Sequence, residues 1–460
     1  MHDEKLFFEK GAARWQKIAS MFGLFCLCIT AFLLLNSKYA QIWMYIPLGF
    51  FALFFTYRNL FPCVLAYCFI IPLETLQASS SPGISKTLGG MLIAVCLMRL
   101  MLKREKLYLV QMPVFKPLFL WLAFVFLGLL TTISPGMTVA GIRMLLPPLC
   151  IFFFCLFCID SRKRLILVLN SYALGATLCA LLALPFSRRD TAGRLIGFGD
   201  DPNFFSAGFI VGFALCTSLA VRAQGKMRIL WTLCACSQVV VVLQSQSRAG
   251  VAVIAVQAFI LLLPFIKKIN TRTMALVLLC LCIGVGALAV ASPQKLVHRF
   301  ASIFSTVDGT KDLSTHRRLS YIPVALRNLA NKPLMGSGNN TYPLVYAHSP
   351  YAVMWASDDS FRYAHNTFLE MYSDLGLIGG TAFLFIFVHS LSGLYRLRKH
   401  LTENKNIGDA TLITGEIVAM GGLMLMLLTI SWSFSKPLWL LTALAQQAPW
   451  SFMHDTNFKE

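Results

Sequence analysis

Long apolar runs separated by short polar stretches organise this chain. Candidate membrane spans fall at 18–35, 42–57, 61–77, 88–101, 114–133, 139–159, 164–186, 203–221, 228–246, 250–266, 274–292, 366–395, 411–431 and 433–447. A bilayer core takes about 20 apolar residues per helix, and several runs are short or interrupted, so the pattern predicts about twelve to fourteen spanning helices. The expected fold is all-α, a polytopic membrane helical bundle. It divides into helices with short loops over 1–292, one large outer loop over 293–364 and C-terminal helices with a tail over 365–460. The large loop is polar, holds Gly, Pro, Ser and Asn, and has one helical stretch around Leu319 to Asn331, which reads as a lid. No heptads, solenoid repeat or low-complexity tract appear.

Composition agrees with the pattern. At 57% hydrophobic and 13% charged residues, the chain is too apolar for soluble domains. The net charge of +20 raises the question of nucleic acid. The basic residues sit instead in short clusters between apolar runs, as in cytoplasmic membrane loops, and no basic and aromatic stripe follows a soluble face. All 14 cysteines lie inside apolar segments, which makes them small buried hydrophobes rather than disulfide or metal ligands. The segment MHDEKLFFEKGAARWQK carries both charges and no small-residue cleavage site, so it reads as a cytoplasmic start with the first span retained.

Placing that segment inside and alternating puts the loops at Arg58, 103–106, 162–164, 222–228, 267–272 and 396–405 in the cytoplasm, as the positive-inside rule requires. The exceptions are informative. Arg188, Arg189 and Arg194, then Arg248, then the segment from about Ser292 to Ala364 fall on the outside.

Four polar constellations lie on that side. In RLIGFGDDPNFFSAG, Arg194 precedes Asp201, Pro202 and Asn203 at a span start, where free N–H groups and a guanidinium suit an anion, although a capped helix with a snorkelling arginine reads equally. In QSQSRAG, Ser247 and Arg248 interrupt apolar sequence; a charge there lines a cavity or snorkels to headgroups. In HRRLSYIPVALRNLANKPLMGSGNNTY, Arg317 and Arg318 open the helical stretch, while Gly336 and Gly338 allow a tight return toward the membrane. In YAHNTFLEMYSDLGLIGG, His365 and Asn366 sit at the membrane boundary with Glu370 about one and a half turns on. His365 is a candidate base, with a helix-end hydrogen-bonder as the plainer reading. Arg143 is a weaker member of the set. Several guanidinium groups and one imidazole on one side fit a diphosphate ligand and activation of a hydroxyl. Asp200 with Asp201, and Asp358 with Asp359, are adjacent pairs without a partnering His, so metal-independent chemistry without a cofactor is expected.

These four pieces, in this order, resemble the O-antigen ligase/O-antigen polymerase family of bacterial envelope glycosyltransferases. The resemblance covers roughly the second half of the chain. It implies a GT-C-like fold in the bacterial inner membrane, a periplasmic site, and a donor glycan on undecaprenyl diphosphate. Attack of an acceptor hydroxyl assisted by His365, with the lipid diphosphate leaving from the opposite face, is expected to invert the transferred sugar. Carried over, Arg194, Arg248 and Arg318 resemble the family's donor-diphosphate contacts, with Arg317 and Arg143 as further candidates. His365 resembles the catalytic position, supported by Asn203, Ser247, Asn366 and Glu370. Ligase and polymerase share the donor and differ in acceptor, lipid A-core or a second lipid-linked glycan. The basic outer loops lean toward anionic lipid A-core. A flippase or other transporter is disfavoured because the charges stay on one side and no repeated halves appear.

Overall fold

The computed structural model describes residues 49, 51–76, 84–102, 114–191, 193–197, 201–266, 313–354 and 361–454. The expected spans 18–35 and 274–292, most of 42–50, the loops at 103–106 and 267–272, and the pair Asp358 and Asp359 lie outside these residues.

The described chain is helical. Its helices are α1 (Leu60–Leu73), α2 (Ile84–Met101), α3 (Phe115–Thr131), α4 (Pro135–Cys158), α5 (Arg162–Phe186), α6 (Pro202–Arg222), α7 (Gly225–Gln244) and α8 (Arg248–Ile266). After these come α9 (Leu313–Asn331), the short α10 (Tyr342–Ala347) and α11 (Pro350–Met354), then α12 (Thr367–Glu403), α13 (Ile407–Leu427) and α14 (Lys436–His454). A two-strand antiparallel hairpin, β1 (Arg188–Arg189) and β2 (Leu195–Gly197), joins α5 to α6. Among the described residues α4, α5, α6, α7, α12 and α13 are long and apolar enough to cross a bilayer. The helix Phe51–Arg58 meets Leu60–Leu76 at a bend of 107°, and α3 (Phe115–Thr131) is a shorter apolar helix. The protein is a multi-pass membrane protein with an all-α bundle.

Helix α6 sits at the centre because it is apolar all round. Every residue from Phe205 to Ala220 is buried, and α5, α7, α8 and α13 pack about it. One end of the bundle is tied by charge. Arg162 grips the buried Asp409 with two hydrogen bonds of 2.8 and 2.7 Å, and Arg222 approaches the same carboxylate at 3.4 Å. These residues start α5, end α6 and start α13, so three helix ends are fixed together.

The other end gathers the ends that carry the outer constellations. Lys436 pairs with Glu74 there, and Thr367 Oγ1 links the start of α12 to the end of α13 through Ile430 and Trp432. Helix α12 is broken inside. Gly376 has φ 71 and ψ −173, and the chain after α9 inserts at that break. Leu377 N–H donates to Pro333 carbonyl (2.8 Å), Gly338 N–H to Asp374 carbonyl (2.9 Å), and Asn328 Nδ2 to Ser373 carbonyl (3.0 Å). Backbone groups freed by the break are thereby satisfied by protein, which a membrane-embedded break requires. The run 366–395 was read as one candidate span, and the structure keeps it as one span with a break inside at Gly376.

Candidate functional site

The site is built at the starts of four helices: α6 is tied to α8, and His365, ahead of α12, lies within reach of Asp201 of α6 and Arg318 of α9. Asp201 caps α6, its carboxylate accepting Asn203 N–H at 2.6 Å. The Asn203 amide is therefore occupied by its own cap, rather than free for an anion as the sequence suggested. The Asn203 side chain turns across to α8, where its Oδ1 accepts Ser247 Oγ at 2.7 Å. Ser247 Oγ in turn accepts Gly250 N–H at 3.2 Å, so one serine caps α8 and ties it to α6. Gln246 turns the chain with φ 52, which delivers Arg248 to the first position of α8.

The hairpin positions Arg194. Asp190 receives both the Arg194 backbone N–H (2.8 Å) and its Nε, so the guanidinium is oriented by an ion pair with its Nη groups as the remaining donors. Arg189 bonds Gln244 Oε1 at 3.1 Å and attaches this hairpin to the α7–α8 corner.

His365 lies just before α12 with φ 47, a left-handed conformation that few residues other than glycine adopt. On one side of it, Asn366 caps α12 by accepting Leu369 N–H (3.1 Å). On the other, the Ala364 N–H donates to buried Glu370 at 3.3 Å. Tyr321 of α9 stacks on the imidazole with ring centroids 5.8 Å apart and planes at 24°. Among the described residues the buried His365 Nδ1 has no hydrogen-bond partner.

Electrostatics then act on that ring. Burial pushes the His365 pKa below its ordinary value, and the positive charges of Arg318 and Arg362 push the same way against Asp201. Arg317 and Arg362 both act on Tyr321, whose phenol burial pushes up, and Arg362 also hydrogen-bonds it. Sequence reading passed over Arg362, three residues before His365 in FRYAHN, and over Tyr321 and Asp201 as its neighbours. The structure brings His365, Arg318, Asn366 and Glu370 together, and Asn203 together with Ser247. Arg143 is exposed on α4, and no described contact joins it to this group. Among the described residues no three His, Cys, Asp or Glu side chains gather in a metal-binding cluster.

Comparison with known proteins gives two findings. Residues 232–384 match the profile of the family described as O-antigen ligase, a stretch that runs from α7 past the break in α12. A solved structure described as "Structural coordination of polymerization and crosslinking by a peptidoglycan synthase complex" contains a similar chain at 16% identity, covering 76% of this chain and 100% of that one, with a TM-score of 0.41. No curated protein matches.

Proposed function

We propose that this chain, whose residues 232–384 match the profile of the family described as O-antigen ligase, is a ligase-type glycosyltransferase, moving a polysaccharide from undecaprenyl diphosphate to lipid A-core on the periplasmic face of the inner membrane. The observation that carries this reading is the left-handed His365, stacked on Tyr321 of α9 with Arg318 and Asp201 close enough to act on its ring, at the meeting point of three helix starts.

The chemistry follows from what an alcohol needs. An acceptor hydroxyl attacks the anomeric carbon while its proton passes to the His365 imidazole, since an alcohol is a poor nucleophile until the proton has somewhere to go. The bond from that carbon to the lipid diphosphate breaks on the opposite face, so the configuration inverts. Arg318, Arg194 and Arg248 receive the departing negative charge, in place of a divalent ion. Arg317 stands beside Arg318, and Arg143 contributes only at longer range.

The test is purified protein with a lipid-diphosphate glycan and either lipid A-core or a second lipid-linked glycan as acceptor. Product on lipid A-core supports the ligase, product on the second glycan makes it a polymerase, and movement without product makes it a transporter. His365→Ala should lower turnover by on the order of 10² to 10⁴, the range of a positioned base, while donor binding survives. Parental turnover in that variant would reduce His365 to a helix-end residue.

A further inference from the structure

Helix α9 is apolar on two opposite faces. One face, with Tyr321, Val324 and Ala325 buried, packs against Tyr342, Tyr346 and Ala364. On the other, Leu319, Ile322 and Leu326 stand 56%, 43% and 52% exposed, with exposed Pro323 and Ala330 among them. At 100° per residue these five positions occupy an arc of about 100°, the width of a buried helix stripe. Exposed Arg327 flanks the arc.

The height of the helix identifies what covers this stripe. The chain leaves α9 through Pro333, whose carbonyl is bonded to Leu377 N–H. From Leu377 to Tyr395 no Asp, Glu, Lys or Arg occurs, and Arg396, Arg398 and Lys399 follow at once. Those nineteen residues rise about 29 Å at 1.5 Å each, against a hydrocarbon core of about 30 Å. Leu377 therefore marks the far boundary of the core, and Pro333 is held at that level with it. Leu334, Leu377 and Ile378 are all exposed apolar residues at that level.

We propose that α9 is an interfacial helix whose Leu319, Ile322 and Leu326 stripe is embedded among the acyl chains of the bilayer leaflet at the site end, with Arg327 reaching the headgroups. It is not a lid in water, and its occupant is the lipid surface rather than a second protein. The placement sets Arg317 and Arg318, at the start of the same helix, near the plane of lipid phosphates.

The test places a nitroxide on Leu319→Cys, Ile322→Cys, Leu326→Cys and Arg327→Cys in full-length protein in nanodiscs of phosphatidylethanolamine and phosphatidylglycerol. The described native cysteines are buried or half-buried, and parent protein carried through the same brief labelling supplies the background. Collisions with oxygen and with a water-soluble nickel chelate are then compared. Oxygen should dominate at the three stripe sites and nickel at Arg327→Cys. Nickel dominating at the stripe would make α9 a solvated lid, and shielding from both reagents would mean that protein covers it; either result overturns the proposal. No activity is read, so the outcome is separate from that of the proposed function.

Discussion

At the scale of single residues, the site depends on charges that sequence spacing does not reveal. His365 was legible because histidine at a membrane boundary is unusual, and Arg318 because it opposes the orientation signal. Asp201 and Tyr321 were not, since the start of α6 and helix α9 reach His365 only in the folded chain, and Arg362, three residues before it, carries no motif of its own. Their effect has a definite sign. The base form is the neutral imidazole and its pKa is lowered, so the acid limb of kcat/KM should lie below the ordinary histidine value of 6.5. Arg318→Gln removes a positive neighbour and should move that limb up, whereas Asp201→Asn removes a negative one and should move it down. A limb unmoved by both substitutions would dissociate His365 from catalysis. Arg194→Lys and Arg248→Lys keep charge but lose the planar fork, so each should lower activity much more than a neutral surface change at equal protein level. Full activity in both would leave them as helix anchors.

At the scale of elements, helix existence was legible and helix interruption was not. The run 366–395 is apolar enough to pass as one helix, and DLGLIGG contains the only hint in Gly376. A Cβ on Gly376 would lie 2.4 Å from the Leu334 carbonyl, and one on Gly336 2.4 Å from that of Asp374, so the two glycines let two backbones touch. Gly376 also occupies a backbone region that essentially only glycine enters, costing other residues about 1–3 kcal/mol before any clash. Gly376→Ala should accordingly lower the melting temperature by several degrees or abolish folded yield. Gly421→Ala, where nothing lies within 4 Å, should leave it unchanged or raise it. Equal melting of the two variants would mean that the break is not required. The hairpin holding Arg194 escaped sequence reading for a related reason, because its strands are too short to alternate.

For the whole molecule, alternation of basic loops foretold which helix ends share a side, and the described contacts group them that way: Arg162, Arg222 and Asp409 at one end, His365, Ser247 and Glu74 at the other. Cysteines replacing exposed His348 and Asn404 should then react with an impermeant thiol reagent from opposite faces, His348→Cys from outside. Reversed labelling would place the site in the cytoplasm and end the proposed function. One short apolar helix carries a further consequence. Helix α3 (Phe115–Thr131) rises only about 26 Å, less than the core of about 30 Å. Hydrophobic mismatch of this kind is relieved by local thinning at a fraction of a kcal/mol per Å. The bilayer beside the exposed Phe119 and Leu130 of α3 should therefore thin, and membranes of shorter acyl chains should suit the protein better than thicker ones.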